Sequence, residues 1–203
     1  MRLLLSFAIF AGLLSSMSCR AQSDKNSIVR TSAEIISRLQ AGEHVFIKDQ
    51  TIKGELDLTT AGEQIVVGHK KLLVEIKGQL TAINCVFTGN IVGYKQQLRS
   101  ESLGTDAIVR LDFLHGLSFI DCQFDGDVVL RESTVRGDVN FAGAQFHSGA
   151  DFQGMQVRGQ QFDFSGSLFK TAAKFQRIDV LPNASFRQAK LEEGADFQRA
   201  TFR

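Results

Sequence analysis

The chain has 203 residues, of which 43% are hydrophobic and 22% are charged, and 23 basic side chains balance 22 acidic ones. This composition is that of one folded domain and excludes a disordered or membrane-spanning chain, while near-zero charge argues against binding or mimicking nucleic acid. The aromatic residues are unusual, because 17 are Phe, one is Tyr and none is Trp. Phenylalanine has no polar group for water or a ligand, so this bias predicts rings that are wholly buried.

Residues 1–18 have the pattern of a signal peptide. A basic residue, Arg2, precedes an apolar run from Leu3 to Leu14, and small residues follow. Twelve apolar residues are too few to cross a bilayer as a helix. An export signal is therefore favoured over a transmembrane anchor.

Cys19 follows this segment directly, and the whole resembles a bacterial lipoprotein signal, in which such a cysteine is lipidated and becomes the mature N-terminus. Two positions depart from that pattern, since Ser16 stands where Leu is usual and Met17 is bulky for its place. Ordinary cleavage after Ser18 is the alternative. Lipidation makes Cys19 the predicted lipid-attachment site and residues 19–27 a polar tether to the membrane. It also predicts the cell envelope as the location, on the periplasmic or outer-membrane side.

Residues 28–43 are predicted to form a short helix that caps the domain behind it. Thr31 and Glu34 have the spacing of a capping box, and Gly42 is a stop signal. The apolar residues between them share one helical face: Ile35, Ile36 and Leu39.

Irregular strands are predicted over residues 44–116. The apolar segments that indicate them are 45–47, 56–58, 65–67 and 73–76. Residues 93–107 are polar, contain the single tyrosine, Tyr94, and are predicted to be a loop insertion. Function often lies on such loops, but a solvated insertion without a role is favoured here.

Residues 117–203 contain a regular internal repeat, which is the main signal of the sequence. Large apolar residues recur at alternating spacings of five and six, in two interleaved series: Phe119, Leu130, Phe141, Phe152, Phe164, Phe175, Phe186, Phe197 and Phe124, Val135, Phe146, Val157, Phe169, Val180, Leu191, Phe202. The residue two positions before each is Ala in seven of the 16 cases and Ser or Cys in three more, and the residue between is mostly polar. This alternation indicates three-residue strands joined by corners, and such strands wind into a β-helix.

These units resemble the pentapeptide-repeat family, whose motif is Ala-(Asp/Asn)-(Leu/Phe)-x-x. Ala150 to Gly154 and Ala195 to Arg199 match the motif residue for residue. The resemblance implies an all-β fold, a right-handed four-sided β-helix over residues 44–203. Every second unit has one extra residue, a five-plus-six variant of the repeat, so that four sides would take 22 residues per coil.

Cys85 and Cys122 occupy the same small position of the repeat. Their flanking sequences match at an offset of 37, which is one 22-residue coil plus a 15-residue insertion. We therefore expect the two side chains to be stacked inside neighbouring coils. Parallel inward Cβ vectors suit a disulfide poorly, so free thiols are favoured, and a disulfide is the alternative.

The sequence contains no recognisable catalytic or cofactor-binding constellation. The four histidines show no metal-ligand spacing, and the acidic pairs Asp125/Asp127 and Glu192-Glu193 fall on turns, where solvation explains them. Outward Arg136, Arg158 and Arg203 share a column, for which a solvated face is favoured over a stripe that binds an anionic partner.

A non-enzymatic scaffold of the envelope, structural or interacting with other proteins, is the favoured function. A carbohydrate-binding or carbohydrate-active β-helix is the alternative, although few exposed aromatic platforms are expected. A topoisomerase-protecting DNA mimic, known within the family, is disfavoured by the neutral charge and the export signal, so nucleic acid is not an expected partner.

The C-terminal coil is expected to leave part of its core open to water. Two good repeat units, 195–197 and 200–202, directly precede Arg203, and a solenoid needs polar caps. Burial of this open end against a second copy would cover it, so we expect a homodimer through the C-terminal coil. Coverage of the end by Arg203 and neighbouring charges is the alternative.

Overall fold

The computed structural model describes residues 31–97, 104–181 and 183–203. The predicted signal peptide, the tether and Cys19 lie outside these described residues. The described part contains one α-helix, one short 3₁₀ helix at Leu58–Thr60 and 26 strands. None of its helices is long and apolar enough to cross a membrane.

Helix α1 (Ser32–Gln40) begins at the predicted capping box. The Thr31 hydroxyl accepts a hydrogen bond from the Glu34 amide at 3.3 Å, and the Glu34 carboxylate accepts one from the Thr31 amide at 3.4 Å. The helix ends before Gly42, whose φ of 74° stops the helical turn without a Cβ penalty. Ile35 and Leu39 are buried, so α1 covers the interior of the first coil.

Ten strands precede the regular repeats. They are β1 (Val45–Lys48), β2 (Thr51–Ile52), β3 (Leu56–Asp57), β4 (Gln64–Gly68), β5 (Lys71–Ile76), β6 (Leu80–Ile83), β7 (Val86–Phe87), β8 (Ile91–Val92), β9 (Lys95–Gln97) and β10 (Ala107–Phe113).

Sixteen short strands follow in the repeat region. They are β11 (Leu117–Ile120), β12 (Gln123–Phe124), β13 (Val128–Val129), β14 (Thr134–Val135), β15 (Val139–Asn140), β16 (Gln145–Phe146), β17 (Ala150–Asp151), β18 (Gln156–Val157), β19 (Phe162–Asp163), β20 (Leu168–Phe169), β21 (Ala173–Lys174), β22 (Asp179–Val180), β23 (Ala184–Ser185), β24 (Lys190–Leu191), β25 (Ala195–Asp196) and β26 (Thr201–Phe202).

The strands stack into four sheets, which confirms the prediction of a four-sided β-helix. Their orders are β1-β6-β11-β15-β19-β23 (sheet I), β2-β7-β12-β16-β20-β24 (sheet II), β3-β8-β13-β17-β21-β25 (sheet III) and β4-β5-β10-β14-β18-β22-β26 (sheet IV), with β9 beside β10. Neighbours are parallel except in sheet IV, where the β4–β5 and β9–β10 pairs are antiparallel.

The register of the strands follows the repeat. Val135 pairs with Val157, a step of 22 residues, and Val157 pairs with Val180, a step of 23. The longer step absorbs the single extra residue that follows Val157. The side-chain columns predicted for each face are therefore the ones that form.

The core consists largely of stacked phenylalanine rings. Eleven phenylalanines are at most 2% exposed, as the bias against Tyr and Trp predicts, but Phe46 and Phe202 are 52% and 46% exposed, so the prediction of wholly buried rings is wrong for these two. Parallel rings follow one another along sheets I, II and III, for example Phe146 and Phe169, whose ring centroids are 4.4 Å apart. Rings of adjacent columns meet edge to face, as Phe152 and Phe164 do at 5.2 Å. Both arrangements are favoured for aromatic pairs.

Candidate interaction surface

Six arginines lie on the outer surface of sheet IV and its corners, which we call the arginine face. They are Arg110, Arg136, Arg158, Arg177, Arg199 and Arg203, and all except Arg110 are exposed. Strand register places them in two columns, because each coil puts an equivalent residue about 4.8 Å from the next. The guanidinium groups are not evenly spaced, because Leu181 interrupts one column and Glu132 and Gly154 interrupt the other.

The column predicted from the sequence, Arg136, Arg158 and Arg203, is largely neutralised. Arg136 binds the buried carboxylate of Asp112 with two hydrogen bonds of 3.1 and 2.6 Å, and this hydrogen bonding raises the pKa of the guanidinium. Asp179 lies between the other two arginines, 2.9 Å from Arg158 and 3.4 Å from Arg203. These three arginines therefore stabilise the face through ion pairs and leave little net charge for a partner.

The second column contains the less neutralised charges. Glu132, Gly154, Arg177 and Arg199 take the same corner position in successive coils, with φ between 54° and 68°. Within the described residues, Arg177 and Arg199 form no ion pair, and Arg110 reaches Glu132 only at 3.9 Å. Like charges in neighbouring coils repel one another, so this corner favours an anionic group close by.

Gly154 opens a groove in this column, because it has no side chain. The groove has a volume of about 380 Å³ and is lined by Arg110, Glu132, Thr134, Gln156 and Arg177, with Leu73 at one side. Two guanidinium groups with an amide and a hydroxyl can bind carboxylate or phosphate oxygens. The sequence analysis missed this groove, although a Gly among charged residues at one corner position was its signal.

Four outward aspartates form hydrogen bonds at the corners, among them Asp127, which the sequence analysis assigned to solvation. Asp151, Asp163 and Asp196 each accept a hydrogen bond from the amide two residues further on, at 2.8 to 3.0 Å. Asp127 accepts one from Gly149 of the next coil at 2.8 Å. These carboxylates fix the turns, as short polar side chains do in Asx turns.

The histidines do not converge on one site. His147 lies 3.3 Å from Asp125, while the rings of His44 and His115 meet edge to face at 5.1 Å. No group of three or more potential metal ligands occurs in the described ranges.

The predicted loop insertion, residues 93–107, is partly a strand pair. Residues 95–97 form β9, which pairs antiparallel with the start of β10, and residues 98–103 lie outside the described ranges. Arg131 lies over the Tyr94 ring at 4.8 Å, and Lys95 forms an ion pair with Asp57 at 3.3 Å. The described ends of the insertion are therefore fixed to sheets III and IV.

Cys85 and Cys122 lie in neighbouring coils, as the repeat predicts, and both are free and buried. The Cys122 thiol donates to the carbonyl of Ala82 at 3.5 Å and to that of Ile120 at 3.4 Å. Hydrogen bonding with Cys85 and burial together raise the pKa of the Cys122 thiol. A thiol held in its neutral form within a core is unreactive.

Because both side chains are only 1% exposed, we expect native protein to resist alkylation at both cysteines near neutral pH. In denaturant without a reductant, iodoacetamide should label both, which mass spectrometry of the peptides would show. Labelling that appears only after a reductant is added would mean that a disulfide joins the two residues. Cys85→Ala is the control, since it should leave Cys122 labelled without reductant.

Comparison with known proteins supports the same architecture. Residues 113–156 match the family model described as pentapeptide repeats (9 copies). The searches of curated proteins and of solved structures found no match. The matched segment runs from the end of β10 through β18, where the parallel four-sided stack is regular. The match therefore identifies pentapeptide repeats in this segment of the chain.

Proposed function

We propose that this protein is a lipid-anchored, non-enzymatic interaction scaffold of the bacterial cell envelope. Pentapeptide-repeat proteins are in general structural repeat proteins without catalytic activity. The observation that carries the proposal is the sequence of residues 1–19, an export-type leader that ends at Cys19, in front of a domain that presents long, regular faces. Lipidation at Cys19 would hold those faces at a membrane.

The architecture of the domain is consistent with a scaffold function. Each described coil hydrogen-bonds to its neighbours through the backbone, and one continuous hydrophobic core, aliphatic in the first coils and rich in phenylalanine in the later ones, fills the interior. Such a stack presents outward side chains at fixed positions and does not need to close over a ligand. The arginine face is the surface we assign to a partner, because Arg177 and Arg199 carry charges without an ion pair in the described structure.

Localisation of a Cys19→Ser variant tests the anchor. We expect the full chain to float with membranes in a density gradient and to require detergent for release. Cys19→Ser should be recovered in the soluble fraction or retain its leader, because the acyl chains that hold it are missing. Cys85→Ser is the matched control and should still float. Equal flotation of the wild type and of Cys19→Ser protein from which the leader has been removed would contradict the proposal.

We also propose that a second copy covers the last coil. Phe202 is 46% exposed, and Phe186 and Phe197 are only partly buried, unlike the equivalent rings of the preceding coils. Beside them lies a cavity of about 390 Å³ that includes Leu181 and Ala184 in its lining. An exposed apolar surface of this kind favours self-association about a two-fold axis.

Sedimentation of residues 20–203 tests this dimer. We expect a dimer at micromolar concentration and a monomer for Phe202→Asp, because the carboxylate would be buried without a partner. Thr201→Asp, on the outward side of the same strand, should leave the dimer intact. A wild-type monomer under these conditions would contradict the proposal.

A further inference from the structure

The exposed large apolar side chains are concentrated at the N-terminal end of the solenoid. Among the described residues they are Phe46 at 52%, Ile65 at 42%, Val66 at 50% and Val67 at 46%, with Phe202 at the opposite end. The first four lie on β1 and β4, the edge strands of sheets I and IV. Contiguous exposed apolar surface on a soluble protein usually marks a contact with a partner or a membrane.

Strand β4 has four exposed residues, Ile65 to Gly68, and helix α1 makes its main contacts elsewhere. Helix α1 packs on β1, on β3 and on the 3₁₀ helix at Leu58–Thr60. In the described structure β4 pairs only with β5, antiparallel, so its other edge is free. Proteins normally avoid an uncovered apolar edge strand, so we expect another molecule or a membrane to cover β4 when the protein functions.

Basic residues flank the apolar side chains. The hairpin between β4 and β5 turns through Gly68, His69 and Lys70, which are all exposed, and β5 begins at the exposed Lys71. Lys48 is exposed on the same strand as Phe46, and none of these three lysines forms an ion pair in the described structure. Apolar residues beside free lysines are typical of surfaces that enter the headgroup region of an anionic membrane.

The chain reaches the domain at this same end. Thr31 forms a parallel bridge with Lys53, which follows β2, so residue 31 is fixed to the first coil. Cys19 is twelve residues before Thr31, a length that spans about 20 Å on average as a flexible chain and about 40 Å when fully extended. A lipid on Cys19 would therefore keep the apolar end of the solenoid within reach of the bilayer surface.

From these observations we infer that Phe46 and the β4–β5 hairpin lie in the headgroup region of the membrane that holds Cys19. The inference rests on the proposed lipid anchor. The stack of an anchored copy then stands away from the membrane, and β26 lies six strand spacings, about 29 Å, beyond β4. A second copy bound to the last coil would have its own first coil on the far side of the dimer, where its lipid would reach only a facing membrane. The arginine face would run along this height, from the bilayer outward.

A tryptophan reporter tests the inference directly, because the chain contains no Trp. Val66→Trp places the only indole of the full chain on β4, and Thr201→Trp places it at the far edge of the same sheet as a matched control. Each variant is reconstituted in phosphatidylcholine and phosphatidylglycerol vesicles, with and without brominated acyl chains. We expect Val66→Trp to shift its emission to shorter wavelength and to be quenched by the brominated lipids, and Thr201→Trp to show neither effect.

Flotation of the same samples separates the two proposals. Protein that floats while Val66→Trp is not quenched would keep the anchor and overturn the placement of the hairpin. Quenching of both reporters would mean that the solenoid lies along the membrane, which also overturns it. A blue-shifted but unquenched Val66→Trp in a dimeric protein would assign the edge to a second copy instead. Protein that does not float would remove the anchor and this inference together.

Discussion

Phe164→Ala should lower the free energy of unfolding by about 3–5 kcal/mol, the usual cost of removing a buried phenylalanine ring. Phe164 is fully buried and lies at the centre of the aromatic core. Its ring stacks between Phe141 and Phe186, at centroid distances of 5.0 and 5.4 Å. The backbone ladders around it cannot collapse into the space left, so a cavity should remain. Urea denaturation of residues 20–203 measures the change.

Phe46→Ala is the matched control for this substitution. The Phe46 side chain is 52% exposed on the outer surface of β1, so its removal should change stability by no more than about 0.5 kcal/mol in solution. If Phe164→Ala were no more destabilising than Phe46→Ala, the aromatic core described for the middle coils would be wrong.

Gly159→Ala should destabilise the solenoid by about 1–3 kcal/mol, as overpacking does in well-packed interiors. A Cβ atom on Gly159 would lie closer than 3.0 Å to the carbonyl of Gly137 and to the amide nitrogen of Asp138 in the preceding coil. Both are backbone atoms, which cannot rotate away as a side chain could. The substitution would therefore force two coils apart at this corner.

Gly68→Ala distinguishes this effect from the general cost of losing a glycine. A Cβ atom at Gly68 would meet no atom within 4 Å, so the substitution should be neutral or slightly stabilising. Thermal unfolding of the two variants beside the wild type gives the comparison. Equal melting temperatures for Gly159→Ala and the wild type would contradict the close approach of the coils.

The repeat region could be predicted from the sequence almost residue by residue. Equivalent positions in successive coils have the same surroundings. The spacing of the large apolar residues therefore predicts where the strands lie and which side chains stack in columns. The extra residue after Val157 could be located because the later large apolar residues are all displaced by one position. In the structure, Val157 pairs with Val180, 23 residues later, so the extra residue lies between these two strands. The stacked environment of Cys85 and Cys122 followed from the same period.

The first coils were less predictable, because their units are irregular and an insertion separates them from the regular repeats. The apolar segment at residues 65–67 indicated a strand, but not that the strand would run antiparallel to β5 and lie on an edge. Pairing direction depends on contacts distant in sequence, which a local pattern does not encode. The groove at Gly154 was missed because one of its two arginines, Arg110, lies before the regular repeats, where the period no longer assigns positions.

The chemical modification of Cys19 is the most direct test of the proposed membrane anchor. The measurement is the intact mass of the full chain, extracted from envelopes with detergent and followed by sequencing of the N-terminal peptide. We predict a mature protein that begins at Cys19 and carries a diacylglyceryl group, with or without a further acyl chain on its amine. An unmodified N-terminus at any residue, or a retained leader, would contradict the anchor and with it the placement of the solenoid on a membrane.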